Sequence, residues 1–398
     1  MADIKKEMPL NIAIVCDGVT DCVAGSFVST LRFSERLVKR GHKVVFIASR
    51  TKKRPKDDYY DGIKVYRFRS ILVPKSEGQL YMSFPTKKEI HDVLLKEKID
   101  VVHTMIMTPN VYTAIKVARQ MHLPIVAHSH TQPENIFMHV PLKALHPFLN
   151  KHFYHFLSWL YGMADALVFP SMLEKKLLYQ LEVKIETRVI SNGVDTAVFK
   201  KGESEPLRQK WHIDPTTKKI VYVGRLHPEK SLETLVRAMP LVLEKEPLAH
   251  CYLAGFGHMQ SSLEALAGKL GVRERITFFG KVSNEELVMA FNIADVFVLP
   301  SLAELEGMVV LEAMACGKPV VVANAENSAS TAFVKDNGAL FAPEDSADLA
   351  EKLVTILQND DMRREMGERS LEQSALYSID ESVSQLETLY REVIALHT

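Results

Sequence analysis

Apolar residues fall into short continuous runs separated by longer stretches of mixed polarity. The first run, NIAIVCD (Asn11 to Asp17), is followed by a turn-rich loop, DGVTDCVAGS, and then by a helical pattern from Phe27 to Arg40 that Gly41 stops. KVVFIAS, IDVVHTM, LPIVAHS, ADALVFPS and TRVISNG continue the series, with a helical segment through Arg119. Runs without strict alternation are what strands buried on both faces of a parallel sheet require. The pattern restarts after residue 200 with KKIVYVG, AHCYLAG, ITFFG, ADVFVLPS and KPVVVAN. The chain therefore reads as α/β, with two doubly wound domains in tandem. ISNGVDTAVFKKGESEP, near residues 190–206, reads as the linker. This places one domain at 1–195, a second at 196–377, and a last helix at about 378–398, capped by Ser378 or Asp380.

A length of 398 residues suits two domains, and 47% hydrophobic with 25% charged residues is the balance of an ordinary globular protein. No apolar run reaches the roughly 18 residues that span a bilayer, and the start, MADIKKEMPL, lacks a signal-peptide core. Cys16, Cys22, Cys251 and Cys316 form no CxxC pair, so neither zinc nor a disulfide framework is expected and a reducing cytoplasm fits. The formal net charge of zero hides a split. Residues 1–190 carry 28 Lys+Arg against 18 Asp+Glu, and residues 191–398 carry 21 against 31. The basic half suits an anionic surface, although a polarised solvated surface gives the same count.

Several stretches bear candidate chemistry. AGFG (Ala254 to Gly257) is a weak dinucleotide fingerprint, because the third glycine is missing, and a tight strand-to-helix turn is the better reading. Gly25-Ser26, where a loop opens a helix, lets a phosphate approach backbone N–H groups. In VGRLHPEK, Arg225 and Lys230 follow a strand's C-terminal end, where two cations can clamp a diphosphate; solvated surface charge is the alternative. In PSLAELEGMVVLEAMACGKPV, Gly307 sits where a helix begins. Glu304 and Glu306 suit the helix dipole there, worth about 0.3–1 kcal/mol. That does not explain Glu312, a carboxylate among apolar helical residues that needs partners. His128 and His130 share another strand tip.

With these residues in hand, the chain resembles the retaining glycosyltransferases of family 4, whose GT-B fold is two Rossmann-like domains facing across a cleft. The resemblance spans nearly the whole chain and rests on Glu304-x7-Glu312, VGRLHPEK, ISNGVD, FFGKV and LEAMACGKPV in that family's arrangement. It implies that Arg225 and Lys230 bind a diphosphate and Glu312 the ribose hydroxyls. Glu304 would hold the donor sugar, with backbone groups of Gly307, Met308 and Val309, and Val282 would meet the base. Gly25 and Ser26 would close on the phosphates, and His130, followed by Thr131, matches the active-site histidine. The final helix would cross back onto the N-terminal domain. Leu305-Glu306-Gly307 after the first glutamate looks most like the diacylglycerol glucosyltransferases, although Glu306 itself departs from their pattern. The expected activity is metal-independent hexosyl transfer with retention, and no D-x-D motif is present. The donor is a nucleotide sugar, UDP-glucose first and GDP-mannose second, with no further cofactor. The acceptor is a membrane lipid or glycolipid such as diacylglycerol, and no nucleic acid is expected. PLKALHPFLNKHFYHFLSWLYG (Pro141 to Gly162) and the aromatics and lysines of Ser76 to Lys88 read as an interfacial surface, or as ordinary core. The chain would then lie peripherally on the inner face of the cell membrane. A soluble acceptor is an alternative within the class. Outside it stand a sugar-nucleotide epimerase, an NAD-dependent oxidoreductase and a non-catalytic membrane-binding protein.

Overall fold

The computed structural model describes residues 8–19, 25–73, 80–130, 146–179 and 184–397. Cys22, Thr131, the start of the aromatic stretch at 141–145 and residues 76–79 lie outside them. The chain divides into two compact units, Met1–Asn192 with Ile379–Thr398, and Gly193–Ser378.

The first unit is built on β1 (Asn11–Val15), β2 (Lys43–Ser49), β3 (Asp58–Tyr60), β4 (Ile63–Phe68), a small hairpin of β5 (Ser70–Leu72) and β6 (Tyr81–Ser83), β7 (Val101–Thr104), β8 (Ile125–His128), β9 (Ala166–Phe169) and β10 (Glu186–Val189). The main sheet runs β10-β9-β8-β7-β1-β2-β4-β3, all parallel but for the antiparallel β3–β4 pair. β1 pairs with β2 on one side and β7 on the other, so strand order reverses there. The interposed helices are α1 (Gly25–Lys39), α2 (Lys87–Lys96), α3 (Pro109–Gln120), α4 (His146–Tyr161) and α5 (Met172–Tyr179). One face of the sheet buries Ile90 and Leu94 of α2, Val111 and Ile115 of α3 and Leu157 and Leu160 of α4.

In the second unit, β11 (Lys218–Val223), β12 (Ala249–Ala254), β13 (Ile276–Gly280), β14 (Val296–Leu299), β16 (Val320–Ala323) and β18 (Gly338–Phe341) form an all-parallel sheet, while β15 (Ala303–Glu304) pairs with β17 (Asn327–Ser328). The order is β13-β12-β11-β14-β16-β18, so the chain winds outward from β11 in one direction and restarts beside it at β14. Its helices are α6 (Glu205–Lys210), α7 (Leu232–Lys245), α8 (Gln260–Lys269), α9 (Asn284–Ile293), α10 (Met308–Ala315), α11 (Ser346–Leu357) and α12 (Asp360–Ala375). AGFG proves to be a tight turn. Gly255 has φ +151°, and a Cβ there would lie 1.8 Å from the carbonyl oxygen of Gly224 on the neighbouring strand end, so only glycine fits.

The last helix, α13 (Ile379–Ala395), belongs to the first unit. Ile379, Val383, Leu386, Leu389, Tyr390 and Val393 recur at three- and four-residue spacing and bury one stripe in the core that holds Phe33 and Leu37 of α1. Each such side chain contributes about 1.5–3 kcal/mol. Glu387 accepts from Arg40 and from His42 Nε2, the latter at 2.5 Å, which fastens the same helix by charge.

Candidate active site

The β11–β14 junction is the switch point of the second sheet, where open α/β folds bind ligands beyond the strand ends. β11 delivers Arg225. Its backbone carbonyl accepts from the hydroxyl of buried Tyr222 at 2.8 Å, and its side chain is about 44% exposed and so remains accessible. Pro228–Lys230 then make one turn of 3-10 helix before α7. The backbone carbonyl of Glu229 in this turn accepts from Leu302 N at 2.9 Å, which ties the β11 tip to the β14 tip. β14 delivers Glu304, held extended by the short β15–β17 pairing, Glu304 opposite Ser328.

These two tips bring Lys230 Nζ to 2.7 Å from Glu304 Oε1, with side chains only 13% and 14% exposed. An ion pair this sheltered is stronger than a surface one, and losing either member strands a charge. Gly307 then caps α10 with φ +90°, a left-handed conformation; a Cβ there would meet Ser330 Cβ at 2.6 Å. Gly307 has no side chain to cap this end, and Met308 and Val309 begin a helix whose first N–H groups lack intrahelical acceptors. Glu312 is buried one turn on, among Val310, Leu311, Ala313 and Met314. Val282 lies in the loop between β13 and α9, its side chain packed on the core.

The structure thus draws Arg225, Lys230, Glu304 and the Gly307 helix start to one switch point. Tyr222 and Glu229 also belong to it. Sequence reasoning missed them, because a buried tyrosine in a strand and an acid between two bases carry no signal until the contacts are seen. Glu229 Oε1 lies 3.1 Å from an Arg225 guanidinium nitrogen.

Gly25, Ser26 and His130 lie in the first unit. Gly25 and Ser26 open α1, and the Ser26 carbonyl accepts from Ser29 and Thr30 hydroxyls at 3.0 and 2.7 Å. His130 follows β8 and stacks on His128 with ring centroids 4.4 Å apart; His128 stacks on His103 at 5.6 Å. Tyr390 of α13 lies 2.6 Å from His103 Nδ1. Among the described residues neither ring nitrogen of His128 nor Nε2 of His130 has a hydrogen-bond partner. Burial pushes His130 down to about 3, burial with the nearby His130 pushes His103 down to about 3, and His128 is held well below the ordinary value by the same causes. All three are therefore neutral at pH 7. Ser129, between them, donates to Glu174 and accepts from the Tyr161 hydroxyl at 3.1 Å, which pins the loop. At the β1 tip, Asp17 is buried and accepts from Ser49, Ser83 and Asn110; burial raises its pKa, and the hydroxyl and amide donors oppose the rise. Among the described residues no group of three or more His, Cys, Asp and Glu could hold a metal ion.

Residues 23–198 match the family model described as Glycosyltransferase Family 4, and residues 203–373 match Glycosyl transferases group 1. An uncharacterised glycosyltransferase of Methanocaldococcus jannaschii is 30% identical over 76% of this chain and 77% of its own length. The alpha-monoglucosyldiacylglycerol synthase of Streptococcus pneumoniae is 27% identical over 78% of this chain and 70% of its own. Among solved structures, sucrose-phosphate synthase from Thermosynechococcus elongatus superimposes with a TM-score of 0.79 at 21% identity, covering 97% of this chain and 100% of that one. Anabaena HepE in complex with UDP-glucose gives 0.73 at 19%, covering 96% and 99%. The chain belongs to the family 4 glycosyltransferases and has the GT-B fold of two Rossmann-like domains.

Proposed function

We propose that this glycosyltransferase moves a hexose, glucose in the first instance, from a UDP-sugar to a membrane lipid or glycolipid such as diacylglycerol, with retention at the anomeric carbon. The observation that carries the donor half is the convergence of Arg225, Lys230, Glu304 and the α10 start on one switch point. Arg225 and Lys230 take the diphosphate, Glu304 the hexose hydroxyls and Glu312 the ribose; Val282 meets the base through its main chain. In transfer, the bond from C1 to the phosphate oxygen breaks and a bond from C1 to the acceptor oxygen forms on the same face. The acceptor proton passes to the leaving phosphate. Charge growing on that phosphate is stabilised by the two cations and by the amides of Met308 and Val309. Within the first unit, Gly25 and Ser26 open a helix start that suits a phosphate group, and His130, held neutral by burial, can hydrogen-bond a sugar hydroxyl. UDP-glucose as donor is supported by the likeness to HepE, which was solved with it. A glycolipid acceptor is supported by the pneumococcal relative.

The membrane half rests on α4. Its inner stripe, Leu157, Leu160 and Tyr161, is buried, yet Phe148 (61% exposed), Phe156 and Trp159 (54%) face outward. Phe156 lies 5.9 Å from Trp159, Trp159 lies 5.9 Å from Tyr112 of α3, and Lys116 sits 4.8 Å over the Tyr112 ring. Neither α3 nor α4 contains an Asp or Glu. Aromatics edged by cations, without anions, suit an anionic lipid surface. Among the described residues no helix is long and apolar enough to cross a membrane. The test incubates the protein with UDP-glucose or GDP-mannose and vesicles containing diacylglycerol and anionic lipid. The expected product is an α-glucosyl lipid formed from UDP-glucose. Transfer from GDP-mannose only, a β-linked product, or an acceptor that must be soluble would each contradict the proposal.

A further inference from the structure

Glu229 stands between the two cations of the donor site, yet the mechanism above gives its side chain no task. The carboxylate is buried, with 3% of the residue exposed. Oε1 lies 3.1 Å from Arg225 Nη2, and His227 Nδ1 is 3.9 Å from the same oxygen. Oε2 is enclosed without a hydrogen-bond partner among the described residues. Enclosing a carboxylate with one oxygen unsatisfied is unfavourable. It also places a negative charge beside the spot where an anionic diphosphate must bind.

We propose that Glu229 is a positioning residue for the donor site. Its carboxylate fixes the orientation of the Arg225 guanidinium, while the Tyr222 hydroxyl fixes the Arg225 backbone. Arg225 is about half exposed on a flexible stem, and without a fixed partner its planar fork samples many orientations. Held by Glu229, it presents its remaining N–H groups to a diphosphate in one orientation, so the ordering is done before the ligand arrives. The same residue's carbonyl holds Leu302 at 2.9 Å, two residues before Glu304, so one turn sets both Arg225 and the Lys230–Glu304 pair. This rests on the reading of Arg225 as a diphosphate ligand.

The experiment is a double-mutant cycle on the full chain with Glu229→Gln, Arg225→Gln and both together. Three kinds of measurement are made: the melting temperature without ligand, the Kd for UDP and for GDP by calorimetry, and kcat and KM for UDP-glucose turnover. Glu229→Gln is expected to melt at or above the wild-type temperature, yet to bind the nucleoside diphosphate about tenfold more weakly and to turn over more slowly. Arg225→Gln should weaken binding at least as much, and the double variant no further, because Glu229 acts through Arg225. The inference is overturned if Glu229→Gln binds as tightly as wild type or tighter, if the two losses simply add, or if its melting temperature falls in step with its activity, the mark of a merely structural acid. If Arg225→Gln binds normally, or if wild type binds neither UDP nor GDP, the donor reading itself fails and this inference falls with it.

Discussion

The two units present the same kind of sheet edge in opposite electrical states. In the second, the strand tips at the switch point carry Arg225, Lys230, Glu229 and Glu304 as paired charges. In the first, the tips carry three stacked imidazoles held neutral by burial and an aspartate whose named partners are hydroxyl and amide groups. One kind of topology thus carries two electrostatic settings. A diphosphate needs fixed cations, and those cations need acids nearby to hold them in place until it binds. Under the proposed activity an alcohol acceptor carries no charge, and neutral donors and acceptors suffice for it. The second unit's switch point is thus marked by charge pairing and the first unit's by suppressed charge.

That contrast can be broken in several ways. The largest effect is expected from Lys230→Ala, which removes a cation from the leaving group and leaves Glu304 unpaired. kcat/KM for UDP-glucose should fall by about 10^2–10^3-fold, measured by initial rates. A loss below tenfold would mean that the paired charges are structural.

The next effect tests the neutral half. Unfolded histidine protonates near 6.5, whereas enclosed His103 and His130 do so only near 3. Their folded pKa values are depressed, so stability is full above pH 6.5 and is lost progressively as pH falls toward 3. Urea unfolding followed by tyrosine fluorescence should show a loss of about 4 kcal/mol between pH 7 and pH 5. A flat profile would mean that the stack is already charged or solvated.

Gly307→Ala forces a Cβ into a left-handed position against Ser330. It should lower stability by about 2 kcal/mol in thermal unfolding and weaken donor binding, since the start of α10 must shift. The smallest change in stability is expected from Trp159→Ala on the exposed face of α4, within about 0.5 kcal/mol. Its signature is instead a loss of flotation with anionic liposomes, and retained flotation would remove α4 from the membrane surface.

Much of the fold was legible in the sequence because strands buried on both faces read as continuous apolar runs, as in Lys43–Ser49 and Val320–Ala323. What escaped was shorter or more polar. The β3–β4 hairpin turns through Asp61 (φ +45°) and Gly62 (φ +80°), a turn dipeptide that was available to be read. Its strands hide behind Arg67, which looks like a surface residue but is fully buried on Asp58 and the Ser49 carbonyl. β18, four residues of GALF, is too short to carry a pattern. In the site, Arg225, Lys230 and Glu304 could be picked out because they follow strand ends. Glu229 and Tyr222 could not, because their significance is a tertiary contact. The histidine stack was visible only as His128 and His130. His103 enters from the next strand, and Tyr390 comes from 287 residues further along the chain.

The proposed grip of the second unit's paired charges on a nucleotide sugar can be measured. It is tested most directly by thermal shift of wild type and Lys230→Ala with UDP-glucose, UDP and GDP-mannose. At 100 times its Kd, UDP-glucose should stabilise the wild type by about 2.7 kcal/mol and leave Lys230→Ala nearly unmoved. Equal shifts in both proteins, or no shift with any of the three ligands, would contradict it.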